Sequence, residues 1–197
     1  MNIIGITGGS GSGKTIMLRT LEKQGALALD CDEIYHELLA NNEAMKAEIE
    51  ANFNGVLINK TIDRKQLGER VFNDKSALHK LNEITHKYVV DEVKRRLADW
   101  EKQGGVNAAI DAIALFESGA NKLCNITIGV IAPVETRITR IIKRDGITRD
   151  QAEKRINAQK PDNFFIENCD EILENTCNTP EDFEESCKAW FEANLLF

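Results

Sequence analysis

A glycine-rich stretch close to the N-terminus is the first candidate for chemistry. Residues 8–15 read GGSGSGKT, which fits the spacing G-x-x-x-x-G-K-[ST]. The stretch follows the β-branched run NIIGIT and opens a helical pattern, which is the context that this motif requires. Because glycine has no side chain, successive backbone N–H groups can curl around an anion, and the N-terminus of the helix adds its unpaired amides.

The motif predicts a site for the phosphates of ATP or GTP. Lys14 can reach the β- and γ-phosphates as a mobile positive charge, and the hydroxyl of Thr15 can hold Mg²⁺. A flexible glycine turn is the alternative, but the motif and its context agree on nucleotide binding. The residues predicted to bind the nucleotide here are Gly8, Gly9, Gly11, Ser12, Gly13, Lys14, Thr15 and Ile16.

Carboxylates at strand ends are the second group of candidates. Asp30 and Asp32 follow the short strand pattern ALALD, and the carboxyl ends of strands line the ligand crevice of an open α/β sheet. Asp32 could accept the proton of a hydroxyl group that attacks a γ-phosphate. Alternatively, Asp32 caps the helix that opens at Glu33, and the two roles are compatible. Asp111, which closes the strand pattern VNAAID, could hold Mg²⁺ through water, or it could simply form a turn.

A local concentration of positive charge is the third candidate. The chain has a net charge of −7, yet residues 137–160 are rich in lysine and arginine. Arg137, Arg140 and Arg144 are spaced by three and four residues and therefore share one helix face. A basic helix face is usually only solvated. Because the rest of this chain is acidic, however, the face favours a lid that places positive charge next to the oxygens of a phosphoryl group during its transfer. Arg149 and Arg155 continue this pattern on the next predicted helix.

The histidine at position 86 is a weaker candidate. It lies on the apolar stripe of a long helical pattern, next to Val93 and Leu97 in angle. A lone histidine in such a place is more often a satisfied core or boundary residue than a catalyst.

Strands alternate with helices along the chain, which indicates an α/β fold with a parallel sheet wrapped by helices. The pattern predicts helices over residues 76–103 and 149–159, where TRDQ forms a capping box, and a last helix that opens at Thr179 and Pro180. The patterns for strands lie at 2–7, 26–30, 106–111 and 125–132. Residues 33–103 have few strand patterns and are predicted to form an inserted substrate-binding region.

Composition limits the class of protein. The chain has 197 residues, of which 42% are hydrophobic, enough for one large domain with a packed core. Its five cysteines are scattered without a C-x-x-C pair, which favours incidental thiols over a zinc site or a disulfide framework. No apolar run is long enough to cross a bilayer, and no signal peptide precedes the glycine stretch, so we expect a cytoplasmic protein without a membrane partner. The net charge of −7 argues against nucleic-acid binding.

The motifs taken together and in order resemble the dephospho-coenzyme A kinases, which catalyse the last step of coenzyme A synthesis. The resemblance spans nearly the whole chain. Its segments are TGGSGSGKT, LDCDEI, DRKQLGERVFND, LNEITHK, DAIALFESG, APVETRITRIIKRDGIT, RINAQ and CDEILENTC. The fold that it implies is a three-layer P-loop kinase core with a parallel sheet (residues 1–32, 104–135 and 168–197), a helical CoA-binding insert (about 33–103) and a lid (about 136–167).

The resemblance also implies roles for single residues. Asp32 would be the base that takes the proton from the ribose 3′-hydroxyl of dephospho-CoA, and Arg140 would belong to the nucleotide and lid machinery. Asn175 would lie close to the adenine of ATP. The residues implied to contact the acceptor are Thr7, Asp32, Arg64, His86 and Glu117, and those implied to act in catalysis are Asp32, Lys14 and Arg140. The implied partners are ATP with Mg²⁺ and dephospho-CoA, in a monomer or small homo-oligomer.

Two alternatives stay open at this point. Turns of the family pattern are altered at 113–115 and 176–177, which would suit a kinase that acts on another nucleoside or small metabolite. A nucleotide-dependent switch or binding protein is the other alternative, although the sequence contains no guanine-reading N-K-x-D segment.

Overall fold

Five strands form the central sheet, and the second strand along the chain (Leu27–Asp30) lies at the opposite edge from the last (Glu171–Glu174). The structure is a computed structural model that describes residues 1–72 and 74–194; Asn73 and residues 195–197, which the predicted insert and core segments include, lie outside the described residues. The strands are β1 (Asn2–Thr7), β2 (Leu27–Asp30), β5 (Asn107–Asp111), β6 (Ile126–Ile131) and β7 (Glu171–Glu174). Strand β1 pairs in parallel with both β5 and β6, and β6 pairs in parallel with β7.

Burial on both faces explains the composition of the central strands. Ile4 and Ile6 of β1 are at most 1% exposed, and Ala108, Ala109 and Ile110 of β5 have no exposed surface. A parallel strand that is covered by helices on both faces is expected to be a nearly continuous apolar run, as here. The chain crosses from one strand to the next through helices, so the carboxyl ends of β1, β5 and β6 meet at one edge of the sheet.

By its internal contacts the chain divides into two compact units, Met1–Leu29 with Trp100–Phe197, and Asp30–Asp99. The first unit contains the sheet and the helices α1 (Lys14–Lys23), α6 (Val134–Asp145), α7 (Arg149–Asn157), α8 (Asp162–Asn168) and α9 (Pro180–Ala193), with a short 3₁₀ turn at Ala120–Leu123. Its core joins α1 and α9 to the sheet through Met17, Leu21, Phe183 and Phe191, which have no exposed surface.

The second unit is mostly helical. It contains α2 (Cys31–Asn41), α3 (Glu43–Asn52), a hairpin of β3 (Leu57–Ile58) and β4 (Thr61–Ile62), α4 (Arg64–Phe72) and most of α5 (Lys75–Lys102). Asn59 and Lys60 turn the hairpin with positive φ angles of 49° and 64°. The buried ammonium of Lys46 supports this turn, since it donates to the carbonyl oxygen of Lys60 over 3.0 Å.

Most elements of the sequence pattern are present with bounds that differ by a few residues. The long helix begins at Lys75, and the capping box of α7 is formed by Thr148 and Gln151. Thr179 caps α9 with Pro180 in its first turn, as predicted. The pattern gave no indication of the β3–β4 hairpin, whose strands have only two residues each and gain little from alternation.

Among the described residues, no helix combines the length and the apolar character that crossing a bilayer would require.

The core of the first unit leads to a stability prediction. Phe191→Ala removes a ring that has no exposed surface, so we expect the free energy of unfolding to fall by about 3–5 kcal/mol. Urea unfolding followed by circular dichroism measures this change. The matched control Phe72→Ala removes a ring that is 86% exposed and should alter stability by no more than about 0.5 kcal/mol. Equal losses for the two variants would contradict the packing described here.

Candidate active site

The glycine loop between β1 and α1 ends in a helix N-terminus without a side-chain cap. Gly13 occupies the cap position of α1, and the first turn of this helix contains no acidic residue. A side chain that accepts from a backbone N–H caps α2, α3, α7 and α9, whereas α6 and α8 have a proline at the cap position and, like α1, no side-chain cap. The first amides of α1 and its positive dipole end are therefore left for an anion that the chain does not itself supply.

Gly8 and Gly13 are two of the positions where the loop requires glycine. Gly8 has a φ of 141°, and a Cβ there would lie 2.1 Å from the carbonyl oxygen of Val130. Gly13 has a φ of 117°, and a Cβ there would lie 2.4 Å from Nδ2 of Asn175. A side chain at either position would meet both a strained backbone and atoms held by the core.

Ser12 gives independent evidence for a ligand at the loop. Its side chain has no exposed surface. Within residues 1–72 and 74–194, its Oγ makes no hydrogen bond. Leaving a buried hydroxyl unpaired costs about 1–3 kcal/mol. An anion bound in the loop would supply the missing oxygen partner.

Lys14 lies inside the loop rather than in solvent. Its side chain is 9% exposed, and Nζ is 3.5 Å from the carbonyl oxygen of Gly9, at the opposite end of the loop. The ammonium group therefore spans the concave side of the loop, where a phosphate chain would need a positive charge. Thr15, the next residue, is exposed.

Helix α6 holds the loop from behind through two arginines. Arg140 donates from Nη1 to the carbonyl oxygens of Gly11 (3.2 Å) and Ser12 (3.4 Å). Its Nη2 donates to Oδ1 of Asn175 (3.1 Å) and to the carbonyl oxygen of Cys177 (3.0 Å). Burial lowers the pKa of Arg140, with Cys177 partly opposing the shift, but a guanidinium remains a cation in proteins.

The three arginines of the predicted common face on α6 differ in burial and in partners, and their role in a lid stays a prediction. Arg137 is only 3% exposed and donates from Nε to the carbonyl oxygen of Ser10 (3.0 Å), so it is a buried support of the loop. Arg144 instead pairs with Asp145, and Arg155 on α7 pairs with the same carboxylate. Arg149 pairs with Glu135 and Glu153. Among these arginines, Arg137 therefore contacts the loop, whereas Arg144, Arg149 and Arg155 pair with carboxylates.

A cleft of about 760 Å³ opens beside the N-terminus of α1. Its positive groups are Arg140, Lys143 and Arg144, and its polar groups include the side chains of Thr136 and Thr139. The other lining residues are Gly13, Ile16, Glu135, Thr176, Cys177, Asn178, Thr179 and Pro180. The volume lies in the range typical of sites for small ligands and cofactors.

The structure places the two predicted Mg²⁺ ligands at different elements. Asp111 ends β5, is 5% exposed and pairs in register with Ile6, two residues before Gly8. Thr15 lies in the first turn of α1. Within the described residues, no three histidine, cysteine, aspartate or glutamate side chains form a metal cluster. A hydroxyl and one carboxylate fit Mg²⁺, which keeps several waters and binds substrate phosphates, better than metals that need a full protein cage.

The comparisons with known proteins agree on one family. The family model described as dephospho-CoA kinase matches residues 2–181. A dephospho-CoA kinase of Geobacter sulfurreducens is 37% identical over 186 residues, covering 93% of this chain and 94% of the relative. The chain belongs to the dephospho-CoA kinase family.

Solved structures of similar proteins support the same fold. A Thermus thermophilus protein of known crystal structure has a TM-score of 0.79 at 30% identity, covering 98% of this chain and 97% of its own. A dephospho-CoA kinase from Campylobacter jejuni has a TM-score of 0.61 at 25% identity, covering 98% and 96%. The fold is therefore a P-loop kinase fold with a parallel sheet between helical layers, as the sequence predicts.

Three residues that the dephospho-CoA kinase resemblance implies as ligands are engaged within the first unit. Asn175 has no exposed surface and donates from Nδ2 to the carbonyl oxygen of Ser12 over 2.7 Å, and its place near the adenine stays a prediction. Thr7 is also fully buried, and its hydroxyl donates to the carbonyl oxygen of Ile113 over 3.3 Å. Glu117 pairs with Lys160 over 3.7 Å.

The other implied acceptor residues belong to the second unit. Asp32 lies in the first turn of α2, and its backbone N–H donates to Oδ1 of Asp30 over 2.8 Å. The cap of α2 is therefore Asp30, which corrects the alternative reading of Asp32 as the cap. Arg64 is exposed at the start of α4, and His86 is half-buried on α5. The roles of these three side chains stay predictions.

Sequence reasoning missed the contacts by which distant residues support the loop. Arg137, Gln159 and Asp162 contact the loop or each other, although up to 149 positions separate Gln159 from Ser10. The sequence named Arg137 only as part of a basic helix face and Gln159 only within the RINAQ segment, and neither pattern indicates which atoms these side chains contact.

The loop geometry predicts the effect of a methyl group at Gly13. Gly13→Ala should displace the loop and abolish at least one charge-assisted hydrogen bond to the nucleotide. Such a bond contributes about 1.5–3 kcal/mol, so ATP affinity should fall more than about tenfold. Isothermal titration calorimetry measures this loss. The control Gly25→Ala, at the other end of α1, shares a positive φ of 91° but meets no atom within 4 Å. Its ATP affinity should stay that of the wild type; a loss as large as that of Gly13→Ala would contradict the steric argument.

The pairing of Asp145 predicts a pH dependence of stability. Hydrogen bonds from Arg144, aided by the charges of Arg144 and Arg155, lower the pKa of Asp145 from 3.8 to about 2. A depressed pKa contributes stability that is present above the unfolded value and is lost as the pH falls through the folded one. Urea unfolding of Asp145→Asn should therefore show a weaker loss of stability between pH 3.8 and about 2 than the wild type.

A control separates this effect from general acid unfolding. Asp150→Asn removes a carboxylate from α7 that is 73% exposed and should leave the wild-type pH slope in place. An unchanged slope in Asp145→Asn would show that its pairing with the two arginines contributes nothing to folding.

Proposed function

We propose that this protein transfers the γ-phosphate of ATP to the 3′-hydroxyl of dephospho-CoA, which yields coenzyme A and ADP. The observation that carries the proposal is the glycine loop with its uncapped helix and the unpaired buried hydroxyl of Ser12, in a chain of the dephospho-CoA kinase family. The loop supports binding of a phosphate chain, and the family membership supports the identity of the acceptor.

The first unit supplies a complete site for the phosphate donor. The loop amides and the N-terminus of α1 would bind the phosphates, while Lys14 would neutralise charge on the two outer ones. The cleft beside Gly13 and Ile16 would hold the nucleoside. Its hydroxyl, amide and backbone groups at 176–179 provide donors and acceptors for the edge of a base.

Thr15 and Asp111 would hold Mg²⁺ together with phosphate oxygens and water. When bound, the ion would supply neutralising charge between the β- and γ-phosphates. These two donors suit a metal that arrives with the nucleotide.

Asp32 is our assignment for the catalytic base. As the 3′-oxygen of the acceptor forms its bond to the γ-phosphorus, its proton passes to the carboxylate of Asp32, and the bond to the β-phosphate oxygen breaks to release ADP. Asp30 performs the capping of α2, so that this task does not fall on Asp32. Asp32 follows the carboxyl end of β2, and in α/β sheets the groups that bind ligands lie at such strand ends.

We assign Arg140 a positioning role and leave direct charge neutralisation to Lys14. Both terminal nitrogens of Arg140 already donate to oxygens of the loop and of the segment at 175–177. The arginine therefore sets where the loop amides point. The acceptor contacts that we propose are Arg64, His86, Glu117 and Thr7, with the cytoplasm as the compartment and a monomer or small homo-oligomer as the working form.

The proposed base leads to a paired test. Asp32→Asn keeps the shape of the side chain but removes its basicity, so kcat with dephospho-CoA should fall at least about 100-fold while ATP affinity stays the same. The control Glu33→Gln neutralises the neighbouring acid in the same helical turn and should keep most of the activity. Coupled ADP release and calorimetry measure the two quantities. Full activity in Asp32→Asn would remove Asp32 from the base role.

The same coupled assay tests the acceptor. Wild-type protein should release ADP with dephospho-CoA and much more slowly with a panel of nucleosides or with water alone. Faster transfer to a nucleoside, or hydrolysis that ignores dephospho-CoA, would overturn the proposed function.

A further inference from the structure

Ser10, in the glycine loop, uses all three of its polar groups in contacts with residues far away in the sequence. Its backbone N–H donates to Oε1 of Gln159 over 2.9 Å, and its hydroxyl accepts from Nε2 of the same side chain over 2.7 Å. Its carbonyl oxygen accepts from Nε of Arg137 over 3.0 Å. Because the Ser10–Gln159 contact is reciprocal, it fixes both the position and the rotation of this part of the loop.

Gln159 is itself held in one orientation by a buried cation. Nη2 of Arg137 donates to Oε1 of Gln159 over 3.3 Å, and Nη1 of Arg137 pairs with Oδ1 of Asp162 over 3.2 Å. Since Arg137 is 3% exposed, this pair is shielded from solvent on the arginine side. The arginine and the N–H of Ser10 both require an acceptor, so the oxygen of Gln159 faces them and its NH₂ group faces the hydroxyl of Ser10.

The position of Lys14 indicates which phosphate lies next to Ser10. The amides at the start of the helix in a P-loop cradle the inner phosphates, whereas the lysine reaches the β- and γ-phosphates. Nζ of Lys14 is 3.5 Å from the carbonyl oxygen of Gly9, the residue before Ser10. In a bound nucleotide the Gly9–Ser10 segment would therefore border the outermost phosphate.

We propose that Gln159 is a positioning residue of the phosphoryl-transfer site, which acts through Ser10 to hold the loop against the γ-phosphate. Gln159 lies in the connection between α7 and α8, so it links the segment of basic helices to the loop at the phosphate that is transferred. The inference rests on the proposed nucleotide site and is independent of which acceptor the enzyme uses.

Binding of ATP and ADP separates this role from a general structural one. Gln159→Ala should weaken ATP roughly tenfold, the effect of one lost hydrogen bond to a charged group, because the loop is released where the γ-phosphate binds. ADP lacks that phosphate, so its affinity should change by less than about twofold. Isothermal titration calorimetry of the full-length protein with MgATP and MgADP measures both. An equal loss for the two nucleotides, or none for ATP, would overturn the proposal.

A double-mutant cycle tests whether Gln159 acts through Ser10. Ser10→Ala removes the hydroxyl that accepts from Gln159, and it should also weaken ATP selectively. If the two residues act as one unit, the double variant should lose little more ATP affinity than Gln159→Ala alone. Fully additive losses would overturn the coupling. Thermal unfolding shows whether Gln159→Ala is folded. If it is not, the ATP and ADP affinities of Ser10→Ala test the proposal in its place.

A second glutamine on α7 provides the matched control. Gln151→Ala removes the same side chain from the capping box of α7, where it contacts Thr148 and not the loop. It should keep both nucleotide affinities even though α7 loses stability; a selective loss for ATP here would count against Gln159. Failure of the wild type to phosphorylate dephospho-CoA would overturn only the proposed acceptor, because these titrations contain none.

Discussion

Three consecutive carbonyl groups of the glycine loop, those of Ser10, Gly11 and Ser12, are bound from behind by two arginines of one helix. A trans peptide unit points its carbonyl and the next N–H in opposite directions. Holding the carbonyls on the α6 side therefore turns the N–H groups of Gly11 and Gly13 to the other side. The anion site thus depends on cations that never need to touch the anion, and the loop can consist of residues without side chains.

The same arrangement explains how an acidic chain maintains a basic site. The arginines of α6 and α7 that point into solvent are paired with neighbouring carboxylates such as Asp145 and Glu135. Surface pairs of this kind contribute little to stability, but they neutralise part of the positive charge on these two helices. Arg137, which is buried, and Arg140, which is half-buried, instead donate to backbone oxygens, because a planar guanidinium with several donors can satisfy carbonyls that would otherwise stay unpaired. Helix α6 therefore divides its positive charge between the loop and the surface.

Much of the fold could be predicted because its signals are local. The capping box at Thr148 and the proline at Pro180 specify helix starts within a few residues of sequence. The β3–β4 hairpin was missed since two-residue strands carry no alternation. The sequence offers Asp32 as the cap of α2, whereas the cap is Asp30. The two residues have the same chemistry, and only the backbone shows which carboxylate accepts from the helix amides.

The sequence by itself determined the kind of ligand, since a glycine loop that ends in Lys14 and Thr15 is a complete description of a phosphate site within one short segment. Only the tertiary structure decided which distant side chains hold that loop. Arg137, Gln159 and Asn175 reach it across 127, 149 and 163 positions. Hydrogen bonds of this range depend on how helices pack on the sheet, and the order of residues along the chain carries no local trace of them.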